Sequence, residues 1–170
     1  YGQELAIEIL ESAISKKQIA TAYLFSGPEG VGRKKTAKVF INTLLDKSFD
    51  KGSTKRKIES NNHPDLLWIE PSYIVQGKTI SQTKAKSENI SIKSRPQIRL
   101  NQIKDIIEFL GKKPFGAERS IVLIEDVERI NESASNALLK TLEDTNTGLF
   151  ILITQRPEKL LSTIRSRCQI

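Results

Sequence analysis

Gly27-Pro28-Glu29-Gly30-Val31-Gly32-Arg33-Lys34-Lys35-Thr36 is the stretch that decides the fold. A short apolar run, Ala22-Tyr23-Leu24-Phe25, leads into it, and a helix-compatible run from Lys35 to Leu45 leads out. Strand, glycine loop and helix in succession form the setting in which backbone N–H groups cradle a phosphate. The helix N-terminus adds its positive dipole end.

The pattern for such a loop is G-x-x-x-x-G-K-[ST]. Counted from Gly27, the second glycine is Gly32, so Arg33 takes the lysine place and Lys34 the serine/threonine place. Lysine there acts as a compact point charge on the outer phosphates, whereas arginine is a planar fork. A hydroxyl at the next place would ligate magnesium; an ammonium cannot, and repels it. Thr36 carries a hydroxyl, but two positions later it points roughly 200° around the helix. The residues therefore predict a nucleotide-site shape, framed by Gly27, Gly30 and Gly32, whose catalytic contacts are replaced. A plain glycine turn that holds no phosphate is the alternative.

The chain has 170 residues, 38% apolar and 28% charged, which suits one α/β domain over residues 1–170. Its abrupt ends predict a fragment of a longer protein. A single cysteine, Cys168, excludes an internal disulfide and a cysteine zinc site. No run approaches the ~20 apolar residues of a membrane span, and no signal peptide is visible. A cytoplasmic location is expected. Of the net charge of +7, residues 51–99 supply +6, from ten Lys/Arg against four Asp/Glu. Such a segment can meet nucleic acid or be a solvated loop; with only Trp68 and Tyr73 as aromatics it offers no base-stacking surface.

Apolar residues at three- and four-residue spacing predict helices over Gln3–Ser15, Lys34–Leu45 and Arg99–Leu110, the last stopped at Gly111. A further helix starts at Asn131 or Ser133 and runs through Leu142, and a short one runs from Pro157 to about Ile164. Strands are expected at Ile19–Ser26, Leu66–Ile69, Ser120–Ile124 and Gly148–Thr154, with a last one beginning at Cys168–Ile170. Asp46–Asn62 is expected to be a loop with room for an irregular helix. Tyr73–Gln97 is expected to be a flexible insertion whose Tyr73–Val75 and Ile90–Ile92 could form a hairpin. The lone histidine, His63, reads as a turn or packing residue. Strands that are apolar on both faces and separated by helices indicate a mostly parallel five-stranded sheet covered on both sides, a three-layer α/β/α domain.

Ligands on such sheets bind at the carboxyl ends of the strands. The glycine loop, Glu125-Asp126 and Thr154 all fall there. A hydrolase of this type needs Asp-Glu at the end of an apolar strand, the aspartate for magnesium and the glutamate for the attacking water. Here the order is inverted, and Asp126 is a methylene shorter than the expected base. With Arg33 and Lys34 this favours a degenerate site.

The chain resembles the N-terminal AAA+ domain of bacterial DNA polymerase III delta-prime subunits, within the clamp-loader AAA+ family of P-loop NTPases. The resemblance rests on Gly27–Arg33, His63-Pro64-Asp65, Ile121–Asp126, Asn136-Ala137-Leu138-Leu139-Lys140-Thr141-Leu142-Glu143 and Ser166-Arg167-Cys168. It implies that Arg167 is a finger reaching into a neighbouring subunit's ATP site and that Thr154 holds the polar sensor position. It implies a stator role in a five-subunit ring, with delta and tau/gamma subunits as partners. Primed DNA and the sliding clamp would be reached through that complex, and no membrane is involved. Family members often carry a four-cysteine zinc module after the loop's helix; Leu45–His63 has no cysteine, so no zinc is expected. No cofactor is expected either, though weak ATP or ADP binding stays open. Lid and collar domains would follow Ile170. Two further readings remain: an active ATPase using Arg33, Lys34 and Glu125, and a DNA-binding module built on the basic segment.

Overall fold

The computed structural model of the chain describes residues 3–46, 51–60 and 62–170, with 51–54 described by backbone alone. Helices α1 (Glu4–Ser15), α2 (Arg33–Leu45) and α3 (Lys51–Glu59) are set around strand β1 (Ala22–Ser26). Strand β2 (Leu66–Ile69) follows, then a hairpin of β3 (Ser72–Val75) and β4 (Lys78–Ser81), and helices α4 (Gln82–Ser87) and α5 (Leu100–Leu110). Strand β5 (Ser120–Ile124), helix α6 (Glu132–Asp144), strand β6 (Gly148–Thr154) and the short α7 (Ser162–Arg165) complete the order. Of the loop expected over Asp46–Asn62, residues 47–50 and 61 lie outside the described residues, and α3 takes up the middle.

The main sheet has the order β1-β6-β5-β2, all parallel. The expected fifth strand is a single parallel bridge, Gln169 to Tyr23, on the outer edge of β1. Two backbone bonds hold it, Leu24 N–H to Gln169 O at 2.8 Å and Gln169 N–H to Ala22 O at 2.9 Å.

Strand periodicity sorts the core into two layers. Val122, Ile124, Phe150 and Leu152 face α5 and α6, against Ile103, Ile106, Ala134 and Leu138. Ile121, Leu123, Leu149 and Ile151 face the other way, onto Ala37, Phe40, Ile41 and Leu45 of α2 and Ile58 of α3. Burying each such side chain stabilises the fold by about 1.5–3 kcal/mol. Helix α1 buries Leu10 and packs Ile14 against the core, while Leu5, Ile7 and Ile9 are exposed. It lies at the rim of a cleft with β1 rather than on the sheet's centre.

Two local expectations are corrected. The hairpin pairs Ser72–Val75 with Lys78–Ser81, not with Ile90–Ile92. Its turn is Gln76-Gly77, with φ of 50° and 76°, the two-residue left-handed geometry that matches strand twist. Ile90 instead closes α4, its N–H bonding Ala85 O at 3.0 Å. The segment expected to be a flexible insertion is therefore in large part an ordered hairpin and helix. Gly111 ends α5, but at φ −70°, so its left-handed freedom is not used.

Gln102 ties this hairpin to the sheet. Its Oε1 accepts from Ser72 Oγ and from Arg99 N–H, both at 2.9 Å, and its Nε2 donates to Glu70 O at 2.8 Å. Gln102→Ala is expected to strip Arg99 N–H and Glu70 C=O of these partners and to cost about 2 kcal/mol of stability, measured by urea denaturation.

Candidate functional site

The loop leaves β1 with three glycines at positive φ: Gly27 at 151°, Gly30 at 84° and Gly32 at 89°. Side chains are strained at such angles, which is why glycine recurs here. Gly32 caps α2, and Arg33 is the helix's first residue. A cleft of about 560 Å³ opens above the loop, lined by Gly30, Gly32, Arg33, Lys34, Lys35, Lys38, Glu125, Asp126 and Ile153. Thr36 lies outside this lining and borders the cleft between α1 and β1 instead, as its turn around the helix predicts.

Strand order explains how distant residues converge. β6 lies between β1 and β5, so Thr154 at its carboxyl end sits between the loop and Glu125-Asp126. The groups are engaged with one another. Arg33 Nη1 donates to the carbonyls of Gly27 and Thr154, bridging loop and β6. Lys34 Nζ stands 2.8 Å from Glu125 Oε1, half exposed itself while the Glu125 side chain is only 11% exposed. Asp126, at φ 46°, accepts from Gln82 Nε2 at 3.1 Å through Oδ2. Thr154 Oγ1 donates to Glu128 Oε2 at 2.8 Å.

Gln82 and Glu128 are absent from the sequence expectations. Gln82 reaches the site only because the hairpin folds back, a tertiary fact. Glu128 had a local signal, an acid three residues after Glu125 in the turn that ends β5. Trp68 also borders the site: Lys34 Nζ and Lys38 Nζ lie 5.2 and 5.1 Å from its ring centroid, within cation–π range.

Arg167 is elsewhere. With Thr21, Ala22, Glu143, Thr145 and Phe150 it lines a cleft at the amino end of β1. Its guanidinium donates to Thr163 O at 2.8 Å and pairs with Glu143 at 2.6 Å. The five residues of β1 separate this cleft from the glycine loop, roughly 16 Å at strand rise. The next residue, Cys168, donates its Sγ–H to Ile164 O at 3.3 Å, and burial pushes its thiol from 9.0 up to about 11. At pH 8 it is expected to react with a disulfide reagent about a hundredfold more slowly in the native chain than in urea, followed by absorbance.

Asp65 is buried and anchored away from the site. It accepts from the N–H groups of Phe115, Gly116 and Ala117, the last two at 2.9 Å. His63 Nδ1 accepts from Asp65 N–H at 3.1 Å, which makes His63 a turn residue. Among the described residues no group of three or more His, Cys, Asp and Glu could hold a metal ion, and no helix is long and apolar enough to cross a membrane.

A family model described as DNA polymerase III, delta subunit matches residues 2–170. The chain is 30% identical to DNA polymerase III subunit delta' of Bacillus subtilis, covering 98% of this chain and 46% of that protein. It is 29% identical to subunit delta' of Pseudomonas aeruginosa, over 90% of this chain and 43% of the relative. Subunit tau of Bacillus subtilis is 30% identical over 99% of this chain and 27% of its own length. The chain thus spans less than half the length of these relatives. Among solved structures, a DNA polymerase III gamma subunit-related protein of Thermotoga maritima superposes with a TM-score of 0.56 at 22% identity, over 94% of this chain and 44% of that one. The RuvB Holliday junction branch migration motor of the same organism gives 0.52 at 17%, over 99% and 44%. These two likenesses show the AAA+ P-loop fold.

Proposed function

We propose a clamp-loader role for this chain, which belongs to the DNA polymerase III delta subunit family. It acts in the cytoplasm as a non-hydrolysing, stator-type subunit of the complex that loads the sliding clamp for DNA replication. Its partners are the delta and tau/gamma subunits, and it reaches primed DNA and the clamp through them. Its own nucleotide site is degenerate at Arg33, Lys34, Glu125 and Asp126, and Arg167 is donated in trans to a neighbour's ATP.

The placement of Arg167 carries this reading. The guanidinium stands at the amino end of β1 while the glycine loop follows its carboxyl end, so it cannot serve its own cleft. An exposed arginine at a face opposite the loop is suited to a phosphate presented by another subunit, where a donated arginine stabilises charge on the transferring group. The test is Arg167→Ala in the complex reconstituted with delta and tau/gamma subunits. Assembly is expected to persist by gel filtration while ATP hydrolysis falls; hydrolysis at the unaltered rate would remove the role.

The replaced contacts support the non-hydrolysing part. The carboxylate that should face metal is ion-paired to Lys34, and the hydroxyl at the sensor position is bonded to Glu128. Both contacts compete with the ordering of a water or a metal at those groups.

A further inference from the structure

We propose that Lys34 is a resident cation standing where this fold otherwise places a divalent metal, and that it is the residue that sets the site against metal–nucleotide complexes. The inference rests on the non-hydrolysing reading of the cleft and is independent of Arg167.

A divalent ion in such a site bridges phosphate oxygens, the hydroxyl at the end of the loop motif and an acid at the end of a neighbouring strand. Here the residue at the hydroxyl's place is itself positive, and its Nζ is 2.8 Å from the strand-end acid Glu125. Glu125 is 9% exposed, and a charge buried to that degree is costly without a partner. Lys34 supplies it without metal. The second acid is engaged too, since Asp126 Oδ2 accepts from Gln82 at 3.1 Å, and any cation it met would still share the cleft with the Lys34 ammonium. The sensor hydroxyl is likewise given to Glu128. The residues present therefore do not fit magnesium.

The Trp68 ring adds to the attraction on the ammonium, whose Nζ lies 5.2 Å from its centroid, and Lys38 at 5.1 Å from the same ring brings a second positive charge that also disfavours a metal ion there. Arg33 is turned the other way, onto the carbonyls of Gly27 and Thr154, and so does not compete for Glu125. The two substitutions divide the labour: Arg33 ties the loop to β6, and Lys34 neutralises the acid. The glycine cradle itself is intact, with Gly30 and Gly32 at positive φ and open space above both. What the site lacks is a seat for the metal, not room for phosphate.

A specific reversal follows. Lys34→Thr removes the charge, restores a hydroxyl at the motif's last place and leaves Glu125 in need of a cation. ATP binding to the full chain, measured by calorimetry with magnesium and with EDTA, is expected to become at least tenfold tighter with magnesium in this variant. In the unaltered chain magnesium is expected to give no strengthening. If Lys34→Thr does not fold, Lys34→Gln keeps a donor of similar reach towards Glu125 without the charge, and magnesium is expected to strengthen ATP binding severalfold there. Equal magnesium enhancement in the unaltered chain and the variant would overturn the proposal. So would a folded Lys34 variant with no magnesium effect, or the absence of ATP binding in every form. Phosphate release by the unaltered chain would overturn the non-hydrolysing reading, whereas the magnesium effect on binding tests Lys34, so the two readings fail separately.

Discussion

Asp65→Ala is expected to lower stability by about 3 kcal/mol and the melting temperature by roughly 10 °C, at the few degrees per kcal/mol typical of a chain this long. The reason is the number of donors that one carboxylate serves. Phe115, Gly116 and Ala117 all point their N–H groups at it, from a loop 50 residues away in sequence that leads into β5. Removing it takes the buried acceptor from three donors of a part-buried loop at once, and a bond to a charged group is worth more than a neutral one. Asp65 also fixes strand register from its backbone, where its carbonyl accepts from Ile121 N–H at 2.8 Å. Asp65→Asn keeps one acceptor oxygen and is expected to lose about half as much. By contrast Glu108→Ala, which removes an exposed partner of Lys112, is expected to stay within about 0.5 kcal/mol. Thermal melts followed by circular dichroism separate the three; a shift of only about 2 °C for Asp65→Ala would show that water replaces the carboxylate.

The same cluster makes the fold acid-sensitive. Burial pushes the Asp65 carboxyl up, but the three N–H bonds and the nearby His63 outweigh it and hold it below its ordinary 3.8. A carboxyl lowered in the folded state gives stability that is complete above its unfolded value and is lost as pH falls through the folded one. Burial also lowers His63 from its ordinary 6.5, which the Asp65 charge only partly offsets. The unfolded chain therefore takes up a proton there first, and the penalty sets in as pH drops below 6.5. Stability against pH is expected to fall in two stages, and Asp65→Asn is expected to flatten the lower one.

Much of this fold is legible from apolar runs alone. Ile121-Val122-Leu123-Ile124 and Leu149-Phe150-Ile151-Leu152-Ile153 are buried throughout because helices cover both faces, and a continuous run is the signature of that burial. The glycine loop is legible because positive φ demands glycine. The hairpin partner is not: Lys78-Thr79-Ile80-Ser81 is half exposed and carries one apolar residue, so nothing in its pattern outbids Ile90–Ile92. The same limit applies within the site. Arg33, Lys34, Glu125 and Thr154 are marked by their places in motifs, but what each one touches is set by neighbours in space. Glu128 beside Thr154 and Gln82 beside Asp126 are such neighbours, separated by 26 and 44 residues in sequence. Helix α1 errs in the other direction: Leu10 and Ile14 of its apolar stripe meet the core, but Leu5 and Ile9 meet a cleft and solvent.

Arg167→Ala is expected to cut hydrolysis at the neighbouring ATP site of the assembled complex roughly a thousandfold, the lower end for an arginine finger donated in trans. Its effect on the fold is expected to be slight. The pair with Glu143 is short, 2.6 Å, but both side chains are about two-fifths exposed, at 39% and 43%. Exposed pairs contribute at most about 1 kcal/mol. The bond to Thr163 O is an exposed one as well. Loss of rate without loss of assembly is therefore the expected signature of a residue that works outside its own domain. Arg167→Lys separates charge from geometry. An ammonium keeps the positive charge but not the planar fork that matches phosphate oxygens two at a time. If the fork matters, the lysine variant stays as slow as alanine; if it recovers the rate, charge alone suffices. Glu143→Gln completes the set, because it releases the guanidinium from its partner without touching it. Hydrolysis is expected to stay within a few-fold of the unaltered complex, since in the proposed role Arg167 leaves Glu143 to reach a phosphate. A thousandfold loss in Glu143→Gln would instead make Glu143 the group that aims Arg167 at the neighbour.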